Sequence, residues 1–121
     1  MFEQRYRFHF EAAHQLGANV QDKEHPYAHV HGHSFEVYLI LRGEELGPKG
    51  WLTDFSRVRQ TADDIHALLD HRYLNDIEGL ELPTLERLAL FIFEKAKPAL
   101  EKLAAVEVNR PSLGEQVRYE A

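Results

Sequence analysis

The chain has 121 residues and a formal charge of −6, a length that suits one domain over residues 1–121 with a modest core. Its acidic balance, with no basic cluster, argues against nucleic acid and anionic membrane as partners. It has no cysteine, which excludes disulfides, thiolate nucleophiles and cysteine-based metal sites. No apolar run approaches the roughly 20 residues of a membrane span, and the first residues lack a signal-peptide core, so a cytoplasmic protein is expected.

Residues 2–13 alternate, with Phe2, Tyr6, Phe8, Phe10 and Ala12 on one parity and Arg5, Arg7, His9 and Glu11 on the other. That pattern predicts a long half-buried strand, whose apolar face His14 would extend. Residues 15–28 read as a polar loop. A second strand is expected over 30–43, with Phe35, Val37, Leu39 and Leu41 on one face. Gly43 to Gly50, with Pro48, reads as a turn region. Asp54 is a candidate N-cap for a helix in which Phe55, Val58, Ala62, Ile65, Leu68 and Leu69 recur at helical spacing. Residues 70–76 are expected to be loop. Thr84 is placed to cap a second helix, apolar nearly all round, which should be deeply buried or pressed between subunits; Pro98 disturbs its end. Two strands, Leu103–Arg110 and Glu115–Tyr119, close the chain around a turn at Pro111–Gly114.

This order predicts an α+β fold of ββααββ type: a four-stranded antiparallel sheet with both helices on one face. Its two edges would stay open unless neighbouring subunits paired with them into a barrel.

Histidine is abundant, with eight in the chain, most of them in the first third. In His29-Val30-His31-Gly32-His33, the residues His31 and His33 lie two apart at the start of the second strand and so share a face. If strands one and two are antiparallel neighbours, His14 leaves the first strand close to both. Three neutral imidazoles and an open position are the ligand set of a catalytic zinc site. His25 and His29 are also near, and the chemistry alone does not choose among the five. The run His31 to Glu36, followed by Gly43, also looks like a cupin metal motif lacking one spacer, but Glu36 has the wrong strand parity. Past the first helix, Asp70-His71 reads either as a helix end in solvent or as an oriented proton relay.

These stretches come in the order and spacing of a known family. Phe10-Glu11-Ala12-Ala13-His14, His31-Gly32-His33, Trp51-Leu52-Thr53-Asp54-Phe55, Leu69-Asp70-His71-Arg72-Tyr73-Leu74-Asn75 and Pro83-Thr84-Leu85-Glu86 resemble the 6-pyruvoyl-tetrahydropterin synthase family over nearly the whole chain. They look most like its bacterial branch, the 6-carboxy-tetrahydropterin synthases of queuosine biosynthesis. The resemblance implies a tunnelling fold (T-fold), assembled edge to edge into a barrel as a homo-hexamer of two stacked trimers, with active sites between subunits. It implies zinc on His14, His31 and His33, a small pterin substrate such as dihydroneopterin triphosphate, and a proton relay through Asp70 and His71. Thr84 falls within the matched motifs as a candidate substrate contact.

Two positions depart from the family. Its catalytic cysteine lies four residues before the first histidine of His-Gly-His, where this chain has Tyr27. A phenol ordinarily titrates near pH 10 and is a poor base at neutral pH; some relatives use a glutamate in this loop, which makes Glu24 a second candidate base. The family's pterin-binding glutamate at the end of the third strand is replaced by Arg110. Arginine only donates and is always charged, so it suits a carboxylate or phosphate. Alternatively Glu115, at the start of the next strand, enters the pocket; strand parity disfavours Glu107. The readings are a zinc-dependent lyase on a pterin, a zinc enzyme on the same scaffold whose acidic substrate Arg110 binds, or a non-catalytic ligand-binding protein.

Overall fold

A computed structural model describes residues 1–121. The elements, in chain order, are β1 (Phe2–His14), β2 (His31–Gly43), α1 (Phe55–Leu69), β3 (Arg72–Tyr73), α2 (Leu85–Ala96), β4 (Leu103–Arg110) and β5 (Glu115–Glu120). They form one sheet in the order β3-β1-β2-β4-β5. All pairings are antiparallel except that of β3, which runs parallel to β1 through Ala12 and Ala13 only. The sheet therefore has five strands rather than the expected four, and part of the expected loop at 70–76 is strand. Two residues carry no periodicity, so pattern alone does not reveal such a strand.

Strand alternation decides the layers. Phe10, Phe35, Val37, Leu39, Val106 and Val108 are fully buried on one face. Both helices cover that face. Helix α1 starts where the Asp54 carboxylate accepts from the Ser56 N–H at 2.9 Å, and it buries Val58, Ala62, Ile65 and Leu69. Phe55 and Leu68 lie outside this stripe and remain 44% and 45% exposed: Phe55 is the first residue of the helix, and Leu68 is rotated about 100° from Leu69. Helix α2, capped by the Thr84 hydroxyl accepting from the Arg87 N–H, buries seven residues, including Leu88, Phe91 and Ile92, as its all-round apolarity predicts. It ends at Ala96, two residues before Pro98. No helix is long and apolar enough to cross a membrane.

The opposite face carries no helix and is polar. Glu107, only 7% exposed, accepts from Arg5 and Arg118. Arg118 also reaches Glu120, Glu120 pairs with Arg42, Arg42 with Glu3, and Glu3 lies 3.9 Å from Arg5. Six alternating charges thus join β1, β2, β4 and β5. Two edges stay open: the outer side of β1 beyond β3, and the outer side of β5.

Candidate metal centre and catalytic groups

His14 is the last residue of β1 and stands directly opposite His31, the first of β2. Alternation puts His33 on the same side, and all three imidazoles point towards the helix-covered face. Their ring centroids lie 4.6 to 5.1 Å apart, and one nitrogen from each falls within 4.8 Å of the others. Phe35 forms the floor, stacked on Phe10 at 4.9 Å and edge-on to His14 and His33.

Backbone carbonyls fix two of the rings. His14 Nδ1 lies 2.9 Å from the carbonyl of Pro83, and His31 Nδ1 lies 2.7 Å from that of His29. A carbonyl only accepts, so each Nδ1 carries the proton and each Nε2 presents its lone pair. The Nε2 atoms of His14 and His33 are buried and have no partner within the chain. Burial, the neighbouring imidazoles and the Arg110 charge push His14 down to about 4, although its bond to Pro83 opposes this; burial, Arg110 and His31 likewise lower His33. Three imidazoles with ligand nitrogens this close, two with orphaned Nε2 atoms and two oriented from behind by carbonyls, are what a divalent metal requires, so these three residues fit a metal ion. Of the other two nearby histidines, His25 accepts from the Tyr27 N–H and packs on its ring, and His29 contributes only its carbonyl.

A pocket of about 220 Å³ opens at His31 and His33, and Tyr27, Arg110 and Glu115 are among its lining residues. Arg110 and Glu115 are the closing pair of the β4–β5 ladder. The connecting turn passes through Gly114, whose φ of 67° is a left-handed conformation suited to glycine. Arg110 Nη2 donates to Glu115 at 2.9 Å, with the side chains 16% and 43% exposed, and Arg110 Nε is buried without an acceptor. Both residues therefore face the pocket, while Glu107 faces the opposite side of the sheet. Glu36 also lies on that opposite side, 3.3 Å from Arg7, which removes the cupin arrangement. Tyr27 is 48% exposed. Glu24 is exposed in the turn after Asp22 and is not among the residues lining this pocket. The Thr84 hydroxyl accepts from the Arg87 N–H as the α2 cap and keeps its own O–H to donate, and Pro83 before it sets its carbonyl behind His14.

Asp70 and His71 lie elsewhere in the protomer. Asp70 accepts from the Glu11 N–H at 2.9 Å and lies 2.7 Å from His71 Nδ1, and both bonds hold its carboxyl below the usual range. The His71 N–H donates to the Glu11 carbonyl, and His71 adopts φ 56°, a conformation uncommon for a residue with a side chain. Its ring, 80% exposed, borders a hollow of about 540 Å³ that is also lined by Glu11, Ala13 and Ser34, and by His33 of the triad. The pair is thus a preorganised imidazole presented outward; it is not among the residues lining the 220 Å³ pocket, but His71 shares the larger hollow with His33. Sequence reasoning missed the two carbonyls behind the triad and the Glu11 backbone clamp, because any residue type supplies such groups.

The profile of the family described as 6-pyruvoyl tetrahydropterin synthase matches residues 3–121. A dihydroneopterin monophosphate aldolase from Pyrococcus furiosus is 34% identical over 110 residues, 91% of this chain and 86% of the relative. A 6-carboxy-5,6,7,8-tetrahydropterin synthase from Synechocystis is 39% identical, covering 84% of this chain and 80% of the relative. The structure of Caenorhabditis elegans 6-pyruvoyl tetrahydropterin synthase superposes with a TM-score of 0.85 at 24% identity, covering 99% of this chain and 95% of that one, and so shares the fold. With its T-fold order of elements and this match over almost its whole length, the chain belongs to the 6-pyruvoyl tetrahydropterin synthase family.

Proposed function

We propose that this protein is a zinc-dependent lyase acting on the side chain of a phosphorylated dihydropterin. The triad carries the reading, because two of its buried Nε2 atoms have no use within the chain. Zinc on three imidazoles with an open position would supply Lewis acidity to a substrate oxygen. The relatives named above support a pterin as the substrate class.

Among the chemistries those names carry, the absence of cysteine favours aldol cleavage. Removing a proton from carbon needs a dedicated base beside that carbon. Breaking the bond between two hydroxyl-bearing carbons begins instead at an O–H: the hydroxyl gives up its proton, its carbon becomes a carbonyl, and the bonding pair moves into the pterin. A proton then returns to the carbon left on the ring. His71 is suited to carry that proton, since Asp70 holds Nδ1 and leaves Nε2 free to accept and release it. In this reading His71 serves the triad of a neighbouring copy, with the open edges of β1 and β5 pairing between subunits of a barrel-forming oligomer.

Zinc-loaded protein incubated with dihydroneopterin monophosphate should yield a hydroxymethyl dihydropterin and a short phosphorylated aldehyde, resolved by chromatography and abolished by a chelator. Release of inorganic triphosphate from dihydroneopterin triphosphate would instead favour the synthase reaction, which the Asp70–His71 relay could serve equally. No conversion of either substrate overturns the lyase reading.

A further inference from the structure

We infer that Arg110 anchors an oxyanion on the substrate, a phosphate monoester carried by the side chain, and that Glu115 is its exchangeable counter-ion. This rests on the lyase reading above and adds the group that selects phosphorylated substrates.

A largely buried guanidinium needs compensation for the water it has lost. Arg110 has five N–H donors, yet its one ion-pair partner is Glu115, held through Nη2 at 2.9 Å, and its buried Nε has no acceptor. Among the residues lining the pocket, Glu115 is the only carboxylate. It is 43% exposed and follows Gly114 at a hairpin corner, so it can turn into water at small cost, as partly exposed ion pairs do. Once Glu115 turns away, Nε and the adjacent Nη would form a side-on fork that matches two oxygens of a phosphate.

Charge points the same way. A divalent cation on the triad would share the pocket with this guanidinium, leaving two positive centres against one carboxylate. A phosphate monoester, at about −1.5 to −2 near neutral pH, balances that excess, whereas an uncharged ring edge does not.

The test is calorimetric titration of zinc-loaded protein with neopterin monophosphate, neopterin and inorganic phosphate. Wild type should prefer the phosphorylated pterin by about 10- to 100-fold, the range of a charged hydrogen-bonded pair. R110Q should lose that preference while keeping its zinc content and its affinity for neopterin, and R110K, a point charge without the fork, should keep part of it. E115Q should bind the monophosphate several-fold more tightly, because the competing carboxylate is gone.

Equal affinity of wild type for the two pterins overturns the anchor, as does an R110Q protein that keeps the preference. Weakening of both pterins by E115Q means that Glu115 itself holds the ring, and also overturns it. Inorganic phosphate binding as tightly as the monophosphate would make this a free-anion site and sink the substrate assignment. Failure of both pterins to bind overturns the pterin reading itself, and this one with it. Should R110Q not fold, R110K decides: an unchanged preference refutes the fork.

Discussion

Replacing Phe35 with alanine tests whether the metal ligands rest on the hydrophobic core. Phe35 is fully buried, stacks on Phe10 and meets the edges of His14 and His33. Truncating a buried phenylalanine costs about 3–5 kcal/mol through lost transfer energy and the cavity left behind, and loss of the aromatic pair places this site in the upper half of that range. For 121 residues the unfolding entropy is about 0.25 kcal/mol per degree, so a loss of about 4 kcal/mol lowers Tm by about 15 °C. Phe35→Leu keeps most of the volume and should cost about 1–1.5 kcal/mol. Both are measured in chelator by urea titration and thermal melting followed by circular dichroism, so that bound metal adds nothing to the apparent stability. With the floor gone, the two rings lose their fixed orientation, and zinc affinity of the alanine variant should fall about 10- to 100-fold, the scale of losing an orienting neighbour. An alanine variant melting within 3–4 °C of wild type (about 1 kcal/mol), or holding zinc as tightly as the leucine variant, would refute the dependence of the site on this ring.

His14 makes the metal-free protein acid-sensitive. Its folded value of about 4 lies below the ordinary 6.5, so it contributes nothing at pH 7.5, and below pH 6.5 the unfolded chain binds a proton that the folded one refuses. The penalty grows as pH falls, to the order of 2–3 kcal/mol by pH 4.5; urea midpoints across this range should fall more steeply for wild type than for His14→Gln, and parallel slopes would count against the assignment. Asp70→Asn should lower kcat about 100-fold or more with little change in KM, since the relay acts on protons rather than on binding; an equal rise in KM would point to a structural role. Gly114→Ala forces a side chain to φ 67° and should cost about 1 kcal/mol by denaturant titration, together with a weakened Arg110–Glu115 pair; an unchanged midpoint would mean the turn relaxes.

The long elements were legible because their periods are strong. Thirteen residues of alternation gave β1 and β2, and Asp54 and Thr84 announced both helices through their capping chemistry. The same alternation put His31 and His33 on one face, and the antiparallel β1–β2 pairing brings His14 to them. The strand β3 was not legible, because a two-residue parallel bridge depends on the left-handed His71 turn and the Glu11 clamp rather than on any run of side chains. Nor could the sequence choose between Arg110 and Glu115, since a turn at Gly114 lets one hairpin deliver both. The Asp70–His71 pair was readable as chemistry but not as place: only the tertiary path sets it beside a hollow that His33 also lines.

The alternating charges on the helix-free face close into a circuit: Glu3, Arg42, Glu120, Arg118, Glu107, Arg5 and back to Glu3. Because it has no free end, deleting any one member leaves a chain in which every remaining charge keeps a partner. Single substitutions there should be tolerated better than their burial suggests, whereas removing two members that flank a third, such as Arg42 and Arg118 around Glu120, strands a charge and should cost more than the two single losses summed. The circuit also spans from the first strand to the last, so it fastens the two ends of the chain to each other without a covalent bond.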